Sequence, residues 1–164
     1  MILVILGTND KPFTRLLEAV EGAIKRGDIQ EEVIVQAGFT KYESDVMKVI
    51  DYVDREQFAD YLGKADLLIV HGGAGTILTG LKQGKKILAA ARKQSLGEHV
   101  NDHQIQLLEA FEKDGYLIYM RDLDQISEYL KAVKDFTPNP YQCQRDHMIS
   151  LIETWIDANV TRAK

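Results

Sequence analysis

The chain of 164 residues has one cysteine, Cys143, three prolines and one tryptophan. A lone cysteine excludes an internal disulfide framework and a cysteine-only metal site, and it makes a cytoplasmic protein the default. No apolar run exceeds a few residues, so nothing reads as a membrane span. The opening Met1-Ile-Leu-Val-Ile-Leu6 lacks a basic flank and a cleavage site, and reads as a first strand rather than a signal peptide. An excess of positive charge is also missing. Twenty Lys and Arg against 25 Asp and Glu give a net charge of -5, which provides no general pull toward nucleic acid or anionic lipid. There is no internal repeat and no low-complexity segment. What is present is an ordinary globular share of apolar residues, 45%, in a length that suits one domain with a real core. The expected organisation is a single domain over 1–164, with 141–160 as a C-terminal tail helix.

Strand-like and helix-like segments alternate. Ile2–Leu6, Glu32–Gln36, Met47–Val53, Leu67–Val70, Lys86–Ala91 and Tyr116–Met120 read as strands. Helical spacing runs through Phe13, Leu16, Leu17, Val20 and Ile24, with Pro12 where that helix would begin. It returns at Phe58, Leu62 and Ala65, at Ile77, Leu78 and Leu81 with Gly84 as the stop, and at Gln104, Leu107, Leu108 and Phe111. Leu123–Val133 and Tyr141–Ile156 complete the helices, with Pro138 and Pro140 breaking the pattern between them. This rhythm predicts an α/β fold, a Rossmann-like parallel sheet with helices on both faces. Ligands in such sheets bind outside the carboxyl ends of the strands. The unusual loops all fall there: Gly7–Lys11, Gln36–Tyr42, His71–Thr76 and Arg92–His103.

The most informative of them is His71-Gly72-Gly73-Ala74-Gly75-Thr76. An apolar strand feeds a glycine-rich turn that opens a helix. That arrangement offers bare backbone N–H groups and a positive dipole end to an anion, and a phosphate is the natural guest. Thr76 could cap the helix or bond a phosphate oxygen, and His71 could donate to the same anion. The ordinary reading is a tight turn with Thr76 as N-cap. The spacing is neither GxGxxG nor GxxxxGK[ST], so dinucleotide and Walker-type readings lack support. Gly7-Thr8-Asn9-Asp10 offers a second backbone nest, although taken alone a plain turn is the better account.

Gly97-Glu98-His99-Val100-Asn101-Asp102-His103-Gln104 concentrates acid, amide and imidazole groups in one loop. A sugar's hydroxyls each want a donor and an acceptor, and such a loop supplies both. Asn101 or Asp102 also makes an ordinary helix N-cap. A metal site from His99, Asp102 and His103 is disfavoured, because adjacent polar loop residues rarely converge on one ion. No metal or other cofactor is expected. Cys143 and His147, four apart on the tail helix, lack an orienting third group and read as tail packing. Trp155 and Tyr141 are expected to anchor the same helix.

Taken together, the blocks carry a resemblance. Leu6-Gly-Thr8 followed by Pro12-Phe13 and Arg15, then Val70-His-Gly-Gly-Ala-Gly-Thr-Ile77, then Leu96-Gly-Glu-His-Val-Asn-Asp-His-Gln104, resemble the short bacterial exopolysaccharide glycosyltransferases of the PssE/EpsF type. Order and spacing agree over nearly the whole chain. The chain is also similar to the donor-binding subunit of the eukaryotic enzyme that adds the second N-acetylglucosamine to dolichol-linked sugars, and to the C-terminal half of MurG-type GT-B enzymes. The resemblance implies a family 28 C-terminal domain and a role for each matching position. Gly7, Thr8, His71, Gly72, Gly73, Gly75 and Thr76 would lie at the donor diphosphate. Tyr52 and Val53 would hold the uracil edge. Glu98, Asn101, Asp102 and Gln104 would face the donor sugar. MurG-type relatives place a ribose-binding glutamate where this chain has Thr79, so ribose contact there would be weaker or different.

The resemblance further implies an inverting hexosyl transfer from a UDP-sugar, with a lean toward β-1,4-galactosyl. The leaving diphosphate would be stabilised by N–H groups and the helix dipole. The acceptor would be a lipid-linked saccharide bound by a membrane-anchored PssD-type partner, which would hold this chain at the cytoplasmic face of the membrane. The catalytic base is not assigned; His71, His99 and His103 are its weak candidates. Two other functions stay open at this level: a stand-alone sugar-nucleotide processing enzyme, and a non-enzymatic UDP-sugar-binding module.

Overall fold

In a computed structural model, residues 1–143 and 145–160 are described. The domain limit at 164 and the pairing of Cys143 with His147 lie outside the described residues. Six strands, β1 (Ile2–Ile5), β2 (Val33–Gln36), β3 (Lys48–Ile50), β4 (Leu67–His71), β5 (Lys86–Ala90) and β6 (Ile118–Tyr119), form one sheet in the order β3-β2-β1-β4-β5-β6. Every neighbouring pair is parallel. The order reverses between β1 and β4, which makes that junction the topological switch point.

The helices are α1 (Thr14–Lys25), α2 (Arg55–Lys64), α3 (Ala74–Lys82), α4 (His103–Lys113), α5 (Ile126–Asp135) and α6 (Arg145–Asn159). Alternation along β1 sends its side chains to two separate cores. Ile2, Val4 and Leu6 pack with Phe13, Leu16, Leu17 and Val20 beside α1 and with Ile126, Leu130 and Val133 of α5. Leu3 and Ile5 pack on the other face with Leu62 of α2, Ile77 and Leu81 of α3 and Leu108 of α4. Strands buried on both faces read as continuous apolar runs, which is why Leu67–Val70 and Ile87–Ala91 show no alternation.

The crossover from β2 to β3 carries no helix. Its loop is held instead by Glu21 of α1, whose carboxylate accepts hydrogen bonds from the Tyr42 hydroxyl and from Ser44 Oγ (3.1 Å). Burial, with the neighbouring Glu21, pushes the Tyr42 phenol above its ordinary range. The hydrogen bond from Tyr42 holds the Glu21 carboxyl below its own.

Several expected boundaries move. The strand expected over Met47–Val53 keeps only Lys48–Ile50, which leaves Tyr52 and Val53 in the exit loop. The helix expected from Leu123 opens as a 3-10 turn over Leu123–Gln125, because Asp122 caps that turn by accepting from the Asp124 amide at 3.0 Å. The first helix starts at Thr14 rather than Pro12, with Phe13 at its N-cap. The tail helix runs over Arg145–Asn159 rather than from Tyr141. Tyr141 does pack edge-on against Tyr116, with ring centroids 5.8 Å apart. Trp155 does not anchor the tail, since it is 62% exposed, alongside exposed Met148, Leu151 and Ile152. Cys143 is exposed as well, not packed.

The two cores and the exposed tail give a contrast that chemical denaturation can read. Leu17→Ala empties a site that is fully buried and should lower stability by about 2–5 kcal/mol. Trp155→Ala should change it by only about 0.5 kcal/mol, despite removing the larger side chain.

Candidate functional site

The loops after β1 and β4 meet at the switch point, and one imidazole decides how closely. His71 ends β4, pairs with Ala90 of β5 and is 8% exposed. Its Nδ1 lies 3.2 Å from the carbonyl oxygen of Ile5, which can only accept, so Nδ1 carries the proton. The ring occupies a slot between two glycines. A Cβ at Gly7 would lie 2.5 Å from His71 Cε1, and a Cβ at Gly73 would collide with Nε2. Gly7 also has φ 71°, a backbone conformation that disfavours side chains. Gly72 is held for a different neighbour: a Cβ there would sit 2.7 Å from Cβ of Gln104. Gly7, Gly72 and Gly73 therefore serve close packing of His71 and Gln104.

Gly75 differs from them. Beyond its own helix and chain neighbours, no described atom lies within 4 Å of where a Cβ would be. It occupies the first turn of α3, whose N-cap is Gly73 with no side-chain capping bond. The first amides of a helix have no partner within it. The end of α3 therefore presents the amides of the Ala74–Thr76 turn and the positive end of the helix dipole toward the mouth of the crevice. Thr76 lies inside the helix, so of its two readings the N-cap falls away, because Gly73 already has the extended backbone that a cap requires.

Burial is the main cause that lowers the His71 pKa to about 4, with the nearby charge of Arg92 adding to it and the bond to Ile5 opposing it. At neutral pH the ring is therefore uncharged, with its proton on Nδ1. Nε2 then offers a lone pair and not an N–H. The expected donation from His71 to a phosphate needs a second proton, which an anion bound at the turn would favour.

The loop over Lys93–Asp102 hangs beside this crevice and is held from within. Glu98, 8% exposed, accepts from Arg15 Nε at 2.6 Å and Nη2 at 3.0 Å, and from the amide of Lys93 at 2.9 Å. Its carboxylate faces α1 and its own loop, and that is a change from the sugar contact expected of it. Asn101 Oδ1 accepts from the His103 amide at 3.1 Å, and Asp102 Oδ1 accepts from the Gln94 amide at 2.9 Å. Both residues are exposed, and each has further polar atoms for a ligand. Gln104 is buried, with Oε1 accepting from the Arg92 amide at 3.0 Å. His99 Nδ1 lies 3.0 Å from the Asn101 carbonyl, and His103 is exposed at the first position of α4.

Tyr52 and Val53 emerge beyond β3, with β2 and β1 between them and the glycine turn. Tyr52 is 50% exposed and meets Phe39, itself 53% exposed, edge to face at 5.9 Å. Thr79 sits one turn along α3 from Gly75 and donates its hydroxyl proton to the Gly75 carbonyl at 2.7 Å. Thr8 is exposed above the crevice beside Gly7. The structure thus brings the diphosphate candidates together, sets Tyr52 and Val53 at the β2–β3 side and sets the polar loop at the β5 side. Among the described residues, no group of three or more His, Cys, Asp or Glu is poised to hold a metal ion.

Two residues escaped the sequence reading. Arg92 is buried at 1% exposure and links β5 to the loop after β1, donating to Leu6 O at 3.0 Å and Lys11 O at 2.5 Å. Its signal was an arginine placed directly after the apolar run Ile87–Ala91. Phe39 was the lone aromatic between β2 and Lys41. A polar depression of about 460 Å³ also borders α1 and α5, lined by Arg15, Arg26, Arg121 and Asp124 among others. Its guanidinium groups are already paired with Glu98, Asp28 and Glu112.

The glycosyltransferase family 28 C-terminal domain matches residues 1–153. The chain belongs to this family. Among curated relatives, the UDP-N-acetylglucosamine transferase subunit ALG13 of Cryptococcus neoformans is 34% identical over 95 residues, covering 56% of this chain and 45% of that protein. Its human counterpart is 34% identical over 77 residues, covering 47% of this chain and 6% of the human protein. The match thus spans less than half the length of either relative. Among solved structures, an NMR structure of ALG13 superposes with a TM-score of 0.58 at 21% identity, covering 93% of this chain and 95% of that one. MurG of Acinetobacter baumannii gives 0.57 at 17% identity, over 92% of this chain and 49% of that one. These likenesses establish the fold of this family 28 domain, which is that of the C-terminal half of a GT-B glycosyltransferase.

The buried neutral imidazole has a consequence for stability. The unfolded chain takes up a proton on His71 near pH 6.5, whereas the folded one resists until about pH 4. Stability is therefore full above pH 6.5 and falls as pH drops through this window. The loss from this group should be roughly 3 kcal/mol by pH 4. Urea melts from pH 7 to 4 should show that decline in the wild type, and a much shallower one in His71→Asn.

Proposed function

We propose that this chain is the donor-binding subunit of a two-component inverting glycosyltransferase of the PssE/EpsF type. In this reading it holds a UDP-sugar at the β1–β4 switch point. The partner is a membrane-anchored PssD-type subunit that binds a lipid-linked saccharide acceptor in exopolysaccharide synthesis. The observation that carries the reading is the uncapped end of α3 with an unobstructed Gly75, set against the Gly7-Thr8 loop in a family 28 domain. The relatives named as subunits of a UDP-N-acetylglucosamine transferase support both a UDP-linked donor and a second polypeptide.

The chemistry follows from the geometry. An acceptor hydroxyl attacks the anomeric carbon from the face opposite the diphosphate. The bond from that carbon to the diphosphate oxygen breaks, and the electron pair leaves on UDP. Amides at the start of α3 and the helix dipole stabilise the departing charge, aimed where it develops. The hydroxyl proton goes to a base supplied from the acceptor side. His71 is not that base in this scheme, since its buried ring packs inside the donor wall. Asn101, Asp102 and Gln104 frame the hexose, and Tyr52, with Val53 and Thr79, the nucleoside. Galactose follows from the PssE/EpsF resemblance, and N-acetylglucosamine from the names of the curated relatives.

Calorimetric titration of UDP tests the donor site. The wild type should bind. Gly75→Val, whose added Cβ meets nothing outside its own helix, should keep the melting temperature within a few degrees and weaken binding by roughly tenfold or more. Absence of wild-type binding overturns the donor reading. A transfer assay with UDP-galactose, UDP-glucose and UDP-N-acetylglucosamine should show turnover only when the membrane-anchored partner is added. Full transfer by the isolated chain overturns the partner requirement.

A further inference from the structure

Arg92 has a place in the fold that folding alone does not account for. Its backbone follows β5, yet its guanidinium reaches the carbonyls of Leu6 and Lys11, the two ends of the loop after β1. Because β4 lies between β5 and β1, the side chain crosses the end of β4, where the His71 turn begins. The ring of Phe13 lies against it, 4.9 Å from Cζ to the centroid, with Arg15 at the same distance from that ring. Nε of Arg92 is buried and has no hydrogen-bond partner among the described residues. Among the described residues no carboxylate forms an ion pair with it, and Glu98, the obvious candidate, is held by Arg15. Burying a cation that makes no ion pair is costly, even with Glu98 and Asp10 near enough to favour its charge, and two carbonyls could be tied as well by a neutral donor. The charge itself therefore calls for a use.

We propose that Arg92 is a positioning residue for the diphosphate of the donor. Its two hydrogen bonds hold the Gly7–Lys11 loop as one wall of the crevice, and its buried charge places a positive potential at the crevice floor. This proposal rests on the UDP-sugar reading given above. A diphosphate seated over Gly7 and the start of α3 adds to the partial counter-charge that Glu98 and Asp10 already provide, without touching the guanidinium. The field already reaches the turn, since Arg92 is among the causes that keep His71 neutral. Burial lowers the Arg92 pKa only to about 10, so the group stays cationic at neutral pH.

The test separates charge from support by comparing Arg92→Lys, which keeps the charge, with Arg92→Gln, which keeps a hydrogen-bond donor. Pyrophosphate, UDP and uridine are titrated into each, with melting temperatures measured alongside. Arg92→Gln should weaken pyrophosphate and UDP by on the order of tenfold, as expected for losing one buried charge at such a distance. Arg92→Lys should stay within about threefold of the wild type, and uridine binding should not change in either. Equal losses in both variants, or undiminished pyrophosphate binding in Arg92→Gln, would overturn the proposal while leaving the donor reading intact. Wild type that binds pyrophosphate but gains nothing from the uridine moiety, with Arg92→Gln still weakened, would uphold Arg92 and sink the UDP reading. If Arg92→Gln does not fold, a salt titration of pyrophosphate on wild type and Arg92→Lys decides. Affinities that fall together with salt support the charge, and affinities indifferent to salt overturn it.

Discussion

Close packing at the end of β1 and β4 is the constraint on which the site depends. The His71 ring sits where two backbones would otherwise meet, and only glycine at positions 7 and 73 leaves it room. The ring's bond to Ile5 ties the end of β4 to β1. Gly38, where any Cβ would collide with the Gly7 carbonyl oxygen, brings the loop after β2 onto the same point. Arg92 ties in β5. Four strand ends are thereby drawn to one locus, and the start of α3 is aimed at it. The polar side chains buried among these strand ends spend most of their hydrogen bonds on the loops themselves, which joins those loops into one wall where the ligand is expected to rest.

The division of labour within the site follows from which amides are free. Gly7, Gly72 and Gly73 shape the walls by letting neighbours approach, whereas Gly75 and the first turn of α3 face the open crevice. Preorganised amides stabilise a leaving diphosphate without reorganising as the charge develops. Among the described residues, nothing comparable addresses an acceptor. His99 and His103 lie on the loop at the β5 side, and neither is held against a carboxylate that would orient it. On the proposed reading, a domain that secures a leaving group without an oriented base is one half of a cleft.

Most of the fold was legible because a parallel sheet buried on both faces imposes a simple pattern. Apolar runs such as Leu67–Val70 suit a doubly buried strand, and spacing such as Leu16, Leu17 and Val20 suits one face of a helix. Boundaries were less legible where a local bond decided them, as at Asp122, whose side chain turns the start of α5 into a 3-10 turn. The site was legible as a set of loops and illegible in its roles. Glu98 read as a sugar ligand, but an arginine 83 residues away claims it, and no spacing rule reveals such a partner. Thr76 suited either a cap or a phosphate contact by residue type, and the extended conformation of Gly73 removes the cap. Trp155 read as an anchor because tryptophan is usually buried, and the tail helix leaves it in solvent.

By itself, the sequence determined that strands alternate with helices, that four unusual loops share the carboxyl end of the sheet and that a glycine turn opens a helix there. Those properties are local, since periodicity and turn chemistry act over a few residues. Only the tertiary structure decided that His71 is neutral with its proton on Nδ1, that Glu98 belongs to Arg15, and that Arg92 crosses β4 to hold the loop after β1. Each depends on burial and on partners brought together by strand order, and strand order appears only when the chain is folded.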